Sequence, residues 1–255
     1  MTTPDHLRLA GVVRLGLSGR GPKDAFLFDP HRLALPSWAL ALGEQRSALL
    51  ITLDRHLDLV PPASPERIPD ASAGLRALDE FARWELDVRN YDHILAAMEC
   101  GLVGDLIVIA RARPRGAWEG STYTDRRGHL HRIVVAPHVD RLSDGYGSRD
   151  ASPESREAEA LLSTDSPVLL DVDLDCFTTP SDADPTEIVP WTRELIRRHL
   201  MPAGSERFWD AVLTRTIALT FAREPAHSGG VVPANRLFED VSEVLFRELL
   251  GTDLP

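Results

Sequence analysis

Short apolar runs alternate with amphipathic segments along the chain, and the order of the two kinds is the main structural signal. Partly β-branched apolar runs of strand length lie at 25–28, 47–53, 106–110, 131–136, 167–170 and 215–221. The opening stretch 8–17 carries a weaker strand pattern. A helix is expected through 38–42, with Pro36 near its start. Leu75, Leu78, Phe81 and Ala82 have helical spacing. Asp92 can cap a helix whose apolar positions include Ile94, Leu95, Ala97 and Met98, and Gly101 is placed to end it. Further helices are expected at 157–162, 191–200, 205–213 and 235–250. Polar loops are expected at 140–155, 178–190 and 222–233, and a charged, turn-rich stretch at 116–128. Pro61, Pro62, Pro65 and Pro69 suit a fixed surface excursion. This alternation predicts an α/β fold with a mostly parallel central sheet covered by helices on both faces, as one domain spanning 1–255. In such folds, polar side chains gather beyond the carboxyl ends of the strands.

Composition narrows the classes. The 255 residues hold 28 Lys and Arg against 39 Asp and Glu, a net charge of −11, which is a poor match to nucleic-acid phosphates. Hydrophobic residues make up 43%, enough to argue against a disordered chain. No apolar run approaches the ~18 residues of a membrane span. The N-terminus lacks the basic-then-apolar order of a signal peptide. Cys100 and Cys176 form neither a local metal pair nor a disulfide framework. The expectation is a soluble, cytoplasmic protein that binds neither nucleic acid nor membrane. Self-association into a homo-oligomer stays open.

Two acidic motifs follow apolar runs. Asp54, His56 and Asp58 come directly after the run 47–53. At strand spacing their side chains share a face, and carboxylate with neutral imidazole suits manganese, iron or zinc. Asp171, Asp173 and Asp175 follow Val168-Leu169-Leu170. Three like charges on one face repel, and buried carboxylates tend to neutralise; a divalent cation removes both objections. The ordinary alternative is an acidic loop that caps helices or attracts arginines.

These motifs resemble the arginase and deacetylase superfamily, whose ureohydrolase branch carries D-x-H-x-D after one strand and D-x-D after a later one. The matching stretches are Asp54-Arg55-His56-Leu57-Asp58 and Asp171-Val172-Asp173. The chain is more closely similar to an arginase-like family with an early histidine before a Leu-Pro segment and a later D-[VI]-D-L-D-x-F motif. Here these are His31 before Leu35-Pro36, and Asp171 to Phe177. That family includes peptide arginases, which convert arginine to ornithine within a peptide. The resemblance spans roughly 31–224 and implies a three-layer arginase-like fold. It also implies two manganese ions, with zinc or iron as alternatives. His31, Asp54, Asp58 and Asp171 would hold one ion, and Asp54, His56, Asp171 and Asp173 the other. His31 also has a plain structural reading, in which one ion dominates. Asp175 would stay outside the ligand set.

The implied chemistry is hydrolysis of a C–N bond by metal-activated water. The substrate would be a small guanidino compound or an arginine-containing peptide, with urea released. Glu224, just beyond the run 215–221, is the candidate to pair with a guanidinium. His227 in the same loop and His93 at a helix start are candidates for proton transfer. His129, His131 and His138 have more ordinary readings. Arg111, Arg113 and Arg115 form a basic cluster best read as a solvated loop, and Trp118 and Tyr123 suit either an entrance or an anchor. Gly16 to Gly21 is glycine-rich but lacks a phosphate-binding signature. The alternatives are a metal-dependent amide hydrolase or deacetylase, and a non-catalytic metal-bearing binding protein.

Overall fold

The computed structural model describes residues 9–17, 22–44, 47–111, 120–247 and 249–250. Gly19, Arg20, Gly21, Arg113, Arg115 and Trp118 lie outside the described residues. The strands are β1 (Val12–Arg14), β2 (Asp24–Phe28), β3 (Ala48–Asp54), β4 (Val103–Ala110), β5 (Thr122–Thr124), β6 (Leu130–Ala136), β7 (Val168–Asp173), β8 (Thr178–Pro180), β9 (Ile188–Pro190) and β10 (Thr216–Ala222), of which β5, β8 and β9 fall in stretches expected to be turn or loop. The helices are α1 (Ala34–Leu42), α2 (Leu75–Trp84), α3 (His93–Cys100), α4 (Val139–Ser143), α5 (Pro153–Leu162), α6 (Arg193–Leu200), α7 (Glu206–Arg215) and α8 (Val231–Leu245).

Among the described residues, the main sheet has eight strands in the order β1-β2-β10-β7-β3-β4-β6-β5. All inner neighbours pair in parallel, and only the edge strands β1 and β5 are antiparallel. The expected α/β sheet with helices on both faces is therefore observed. β8 and β9 form a separate hairpin.

Strand periodicity sorts side chains into two cores, one on each face. Leu49, Ile51 and Leu53 of β3, Val168, Leu170 and Val172 of β7, and Leu219 and Phe221 of β10 belong to one core. Ala48 and Leu50, Leu169, and Ala218 and Ala222 from the same strands belong to the other, with Trp38, Phe81, Ile94 and Leu95 from α1, α2 and α3. The polar residues Thr52, Asp54, Asp171, Asp173 and Thr220 fall on this second face by the same alternation. They are all buried, on three adjacent strands and beneath α1 and α3.

Several boundaries differ from the sequence pattern for local reasons. α5 starts at Pro153, inside the expected loop, because Ser152 caps it by accepting the Ser155 N–H at 3.0 Å. α4, β5, β8 and β9 are too short for their periodicity to register. α8 begins at Val231 after Gly230, whose φ of 110° turns the chain into the helix. Asp92 stands at the N-cap of α3 but makes no cap; its carboxylate accepts the Asp87 N–H at 3.0 Å instead. Gly101 ends α3 in the left-handed conformation, as expected. No helix among the described residues is long and apolar enough to cross a membrane.

Candidate metal centre

β3 and β7 are parallel neighbours, and their last register pair is Leu53 with Val172. Asp54 and Asp173, one residue further on, therefore close the two strands side by side. The strand geometry stops there. Asp58 has a φ of +50°, so the D-x-H-x-D motif does not continue as an alternating strand. The bend turns Asp58 back toward His31, while His56 stays half-exposed and faces Asp175.

His31 is the hub. It sits in a 3₁₀ turn between β2 and α1, with no exposed surface. Its Nε2 lies 2.7 Å from Asp171 Oδ2. Its Nδ1 faces Asp173 Oδ2 at 3.1 Å, Asp58 Oδ2 at 3.5 Å and Asp54 Oδ2 at 3.6 Å. One imidazole thus meets four carboxylates, one on one ring nitrogen and three on the other.

Asp171 does a different job from its neighbours. Its Oδ2 also accepts from Thr52 Oγ1 at 2.9 Å, and its Oδ1 accepts from Thr220 Oγ1 at 2.6 Å. Trp38 Nε1 donates in turn to Thr220 Oγ1 at 3.1 Å. With its oxygens engaged by Thr52 and Thr220, Asp171 is placed to accept from His31 Nε2, so that Nδ1 is the ring nitrogen that faces the other acids. Asp175, by contrast, lies within reach of the open side. Its Oδ2 is 3.4 Å from His56 Nδ1, and its N–H donates to Asp173 Oδ1 at 3.0 Å. The resemblance puts Asp171 in the ligand set and Asp175 outside it, whereas the clustered candidate ligand atoms include Asp175 and not Asp171.

Among the described residues, three groups of ligand atoms lie within 4.8 Å of one another: His31 with Asp54 and Asp173, His31 with Asp58 and His93, and Asp54 with His56 and Asp175. Among the described residues, neither His31 Nδ1 nor Asp54 Oδ2 meets a partner in good hydrogen-bond geometry, although both are buried and Asp173 Oδ2 lies 3.1 Å from Nδ1. Buried orphan atoms of this kind are rare. Two potential ligand atoms 3.6 Å apart, ringed by further carboxylates, fit a divalent cation.

The electrostatics agree. Burial, then Asp175 and Glu224, raise the Asp173 pKa well above the ordinary carboxylate value. Burial and Asp54 push Asp175 up to about 6. Burial and Asp58 raise Asp54. Burial opposes charge on His31, but Asp171 and Asp173 outweigh it and hold its pKa well above the usual value. Contact with Asp54 raises His56 to about 9, against burial. A cation-free cluster therefore keeps protons that a bound cation would replace.

Glu224 is brought to this centre. It follows β10 with a φ of +39°, and its Oε1 accepts the His31 N–H at 3.1 Å. Asn90 Nδ2 donates to the same oxygen, and burial raises the Glu224 pKa. Asp58, Asn90 and Glu224 are the non-glycine residues with positive φ among the described residues, and all three stand at this site. Strained backbone of this kind collects at functional sites. Asn90, Thr52 and Thr220 were not singled out from the sequence. A threonine two residues before an acidic strand end was the available signal for Thr52; Asn90 left none.

The histidine candidates separate. His93 is fully buried, with its ring centroid 4.2 Å from that of His31 and Nδ1 2.7 Å from the Asn90 carbonyl. Burial, then His31, lower its pKa to about 3, so it is neutral. His227 is exposed in the turn after Glu224, where its backbone N–H donates to the Glu224 carbonyl at 2.8 Å. His129 and His131 lie beside Asp125 near the β5 edge. His138 packs edge-on against His199. Tyr123 donates to Glu99 and serves as an anchor there. Arg111 is not a solvated loop residue: it donates to the carbonyls of Cys176 and Thr178 at 2.7 and 2.5 Å and lies 4.3 Å over the Trp191 ring. Burial raises both thiols, Cys100 to about 12 and Cys176 well above its usual value, which leaves them inert.

No family model matches the chain, and no curated protein matches it in sequence. Solved structures with a similar course include a proclavaminate amidino hydrolase from Streptomyces clavuligerus, at 16% identity and a TM-score of 0.47 over 87% of this chain and 62% of that one. An arginase from Bacillus cereus gives 18% and 0.43 over 90% and 71% of the two chains. An arginase from Bacillus caldovelox gives 19% and 0.38 over 84% and 67%. The chain thus spans less than two thirds of the amidino hydrolase's length. Likenesses at this level settle neither substrate nor chemistry, which have to come from the side chains.

Proposed function

We propose that this chain, as a single domain, is a metal-dependent hydrolase that cleaves a C–N bond of a guanidino or amidino group. The observation that carries the reading is the pair of buried atoms His31 Nδ1 and Asp54 Oδ2, without a partner in good hydrogen-bond geometry among the described residues, within a ring of carboxylates and with Glu224 beside them. His31, Asp54, Asp58 and Asp173 would hold one cation. Asp54, His56 and Asp175, with Asp173 adjoining, would hold a second. Carboxylate-rich ligands with one imidazole each suit manganese, and zinc or iron are the alternatives.

A bound divalent cation supplies a nucleophile from water near neutral pH and polarises the carbon under attack. The protein supplies the rest. Asp171 fixes the His31 tautomer, so Nδ1 stays a lone-pair donor. Glu224 holds the cationic group of the substrate; its Oε1 is fixed by His31 and Asn90, which leaves Oε2 for the guanidinium. Water adds to the central carbon and an amine leaves, so a guanidino substrate gives urea and the parent amine. The substrate is arginine or an arginine side chain carried by a peptide. His56, exposed at the open side, is better placed than His227 to exchange protons with solvent.

The test is metal-loaded protein incubated with arginine, agmatine and arginine-containing peptides. Urea formation that depends on added manganese supports the reading. Release of a carboxylate and an amine from an amide, without urea, rejects it in favour of amide hydrolysis.

A further inference from the structure

Arg32 follows His31 directly in the same 3₁₀ turn and is half-buried. Its Nη1 donates to Asn90 Oδ1 at 3.2 Å, and its backbone N–H reaches that oxygen at 3.4 Å. Its Nε is closed off from water and has no acceptor, and no carboxylate pairs with the guanidinium, among the described residues. Other half-buried arginines spend their donors: Arg83 on Asp79 and Arg223 on Asp29, and Arg111 and Arg215 on backbone carbonyls. Asp92 acts on Arg32 through space without contacting it, and a buried donor such as Nε left without an acceptor is costly, which a bound acceptor would relieve.

Its position gives the ligand a length. Asn90 accepts from Arg32 through Oδ1 and donates to Glu224 Oε1 through Nδ2. Two hydrogen bonds and one amide group span about 8 Å at most. A carboxylate with Oε2 left over and a guanidinium with an unsatisfied Nε, at that separation, suit the two ends of a zwitterion. We propose that Arg32 binds a carboxylate carried by the substrate, so that the substrate class is a guanidino carboxylic acid with a short linker between its two charged ends. The proposal rests on the reading of Glu224 as the residue that receives the guanidino group. It favours free arginine, or a peptide with arginine at its C-terminus, over an arginine inside a peptide. Both favoured sources present the same carboxylate.

The experiment compares wild type, Arg32→Gln and Arg32→Lys on arginine, on agmatine, which lacks the carboxylate, and on two peptides with internal or C-terminal arginine. Calorimetric binding of arginine and agmatine accompanies the kinetics. Arg32→Gln is expected to lose about 10- to 100-fold in kcat/KM for arginine and under about 3-fold for agmatine, the range of one charge-assisted hydrogen-bonded pair. Arg32→Lys keeps the charge without the fork and recovers part of the loss. The C-terminal peptide follows arginine if the carboxylate of a peptide fits, and follows agmatine if only free guanidino acids fit. Equal losses on arginine and agmatine would overturn the proposal, because an Arg32 that only buttresses Asn90 gives that result. Wild type that binds neither compound rejects the guanidino reading of Glu224 itself, and Arg32 falls with it.

Discussion

Asp171 Oδ2 lies 2.7 Å from His31 Nε2, which turns His31 Nδ1 toward the three acids on its other side. The acid nearest to the imidazole is the one that orients it. Asp171→Asn keeps the shape but offers an amide where a pure acceptor stood. The His31 tautomer is then no longer fixed, and metal affinity should fall about 10- to 100-fold, the usual effect of losing such a supporting carboxylate. Competition titration against a chelator measures this, with circular dichroism as the check on folding. Unchanged affinity would mean that Asp171 does not control the ring.

Asp54 and Asp175 differ in how many ligand groups they join. Asp54 belongs with His31 and Asp173 on one side and with His56 and Asp175 on the other. Asp54→Ala should therefore remove bound metal altogether and abolish hydrolysis. Asp175→Ala should reduce the stoichiometry by about one ion per chain and leave the His31 side loaded. Elemental analysis of the purified variants distinguishes the two patterns. Identical metal contents in both variants would count against a shared Asp54.

The fold was legible because strand periodicity and strand length are local. The runs at 47–53 and 167–170 register in the sequence because β3 and β7 are buried on both faces and carry almost nothing but apolar residues. Their terminal acids could be recognised as a site for the same reason. The assignment within the acids could not. Asp171 and Asp173 share a face at period two, and only the threonines from β3 and β10 decide that Asp171 is enclosed. Those partners are 119 and 49 residues away in sequence. Asn90 was equally hidden: its role depends on a φ of +62° and on a contact with Glu224 across 134 residues.

Glu224 should affect substrate and not metal. Its Oε1 is held by the His31 N–H and Asn90, and its carboxylate is not among the ligand groups around His31 and Asp54. Glu224→Gln keeps the size and removes the charge that faces a cation. KM for a guanidino substrate should rise about 10-fold or more, with metal content unchanged. Steady-state kinetics and metal analysis on one preparation test both halves. A loss of metal with unchanged KM would move Glu224 into the metal cage.

His199 supplies a stability prediction away from the centre. Burial, then His138 and Arg111, lower its pKa to about 4, and its Nε2 has no hydrogen-bond partner among the described residues. The folded state thus holds His199 neutral between the unfolded value near 6.5 and about 4, where the unfolded chain takes up a proton. Stability from this residue is present above pH 6.5 and is lost as pH falls toward 4. His199→Phe should flatten that fall by the equivalent of about one proton. Urea unfolding of metal-free protein at pH 7, 5.5 and 4.5, compared with wild type, reads the difference. Parallel curves would assign the acid sensitivity elsewhere.

Gly229 ties the turn that carries Glu224 to the hairpin of β8 and β9. Its φ is +83°, and a Cβ added there would sit 3.0 Å from the Ile188 carbonyl oxygen. An alanine therefore meets two penalties: a left-handed backbone, worth about 1–2 kcal/mol for a residue with a Cβ, and a close approach to a backbone atom. The second can be relieved only by moving the turn away from the hairpin. That turn is braced by the Ser228 N–H on the Glu224 carbonyl at 2.9 Å and the Gly230 N–H on the Pro225 carbonyl at 2.7 Å, so displacement at Gly229 carries back to Glu224. Gly229→Ala should lower stability by about 1–2 kcal/mol and raise KM for a guanidino substrate in the same variant, with metal content preserved. Denaturant unfolding and kinetics on that variant check both effects. A stability loss without a change in KM would show that the turn absorbs the strain locally and that the hairpin does not help to hold Glu224 in place.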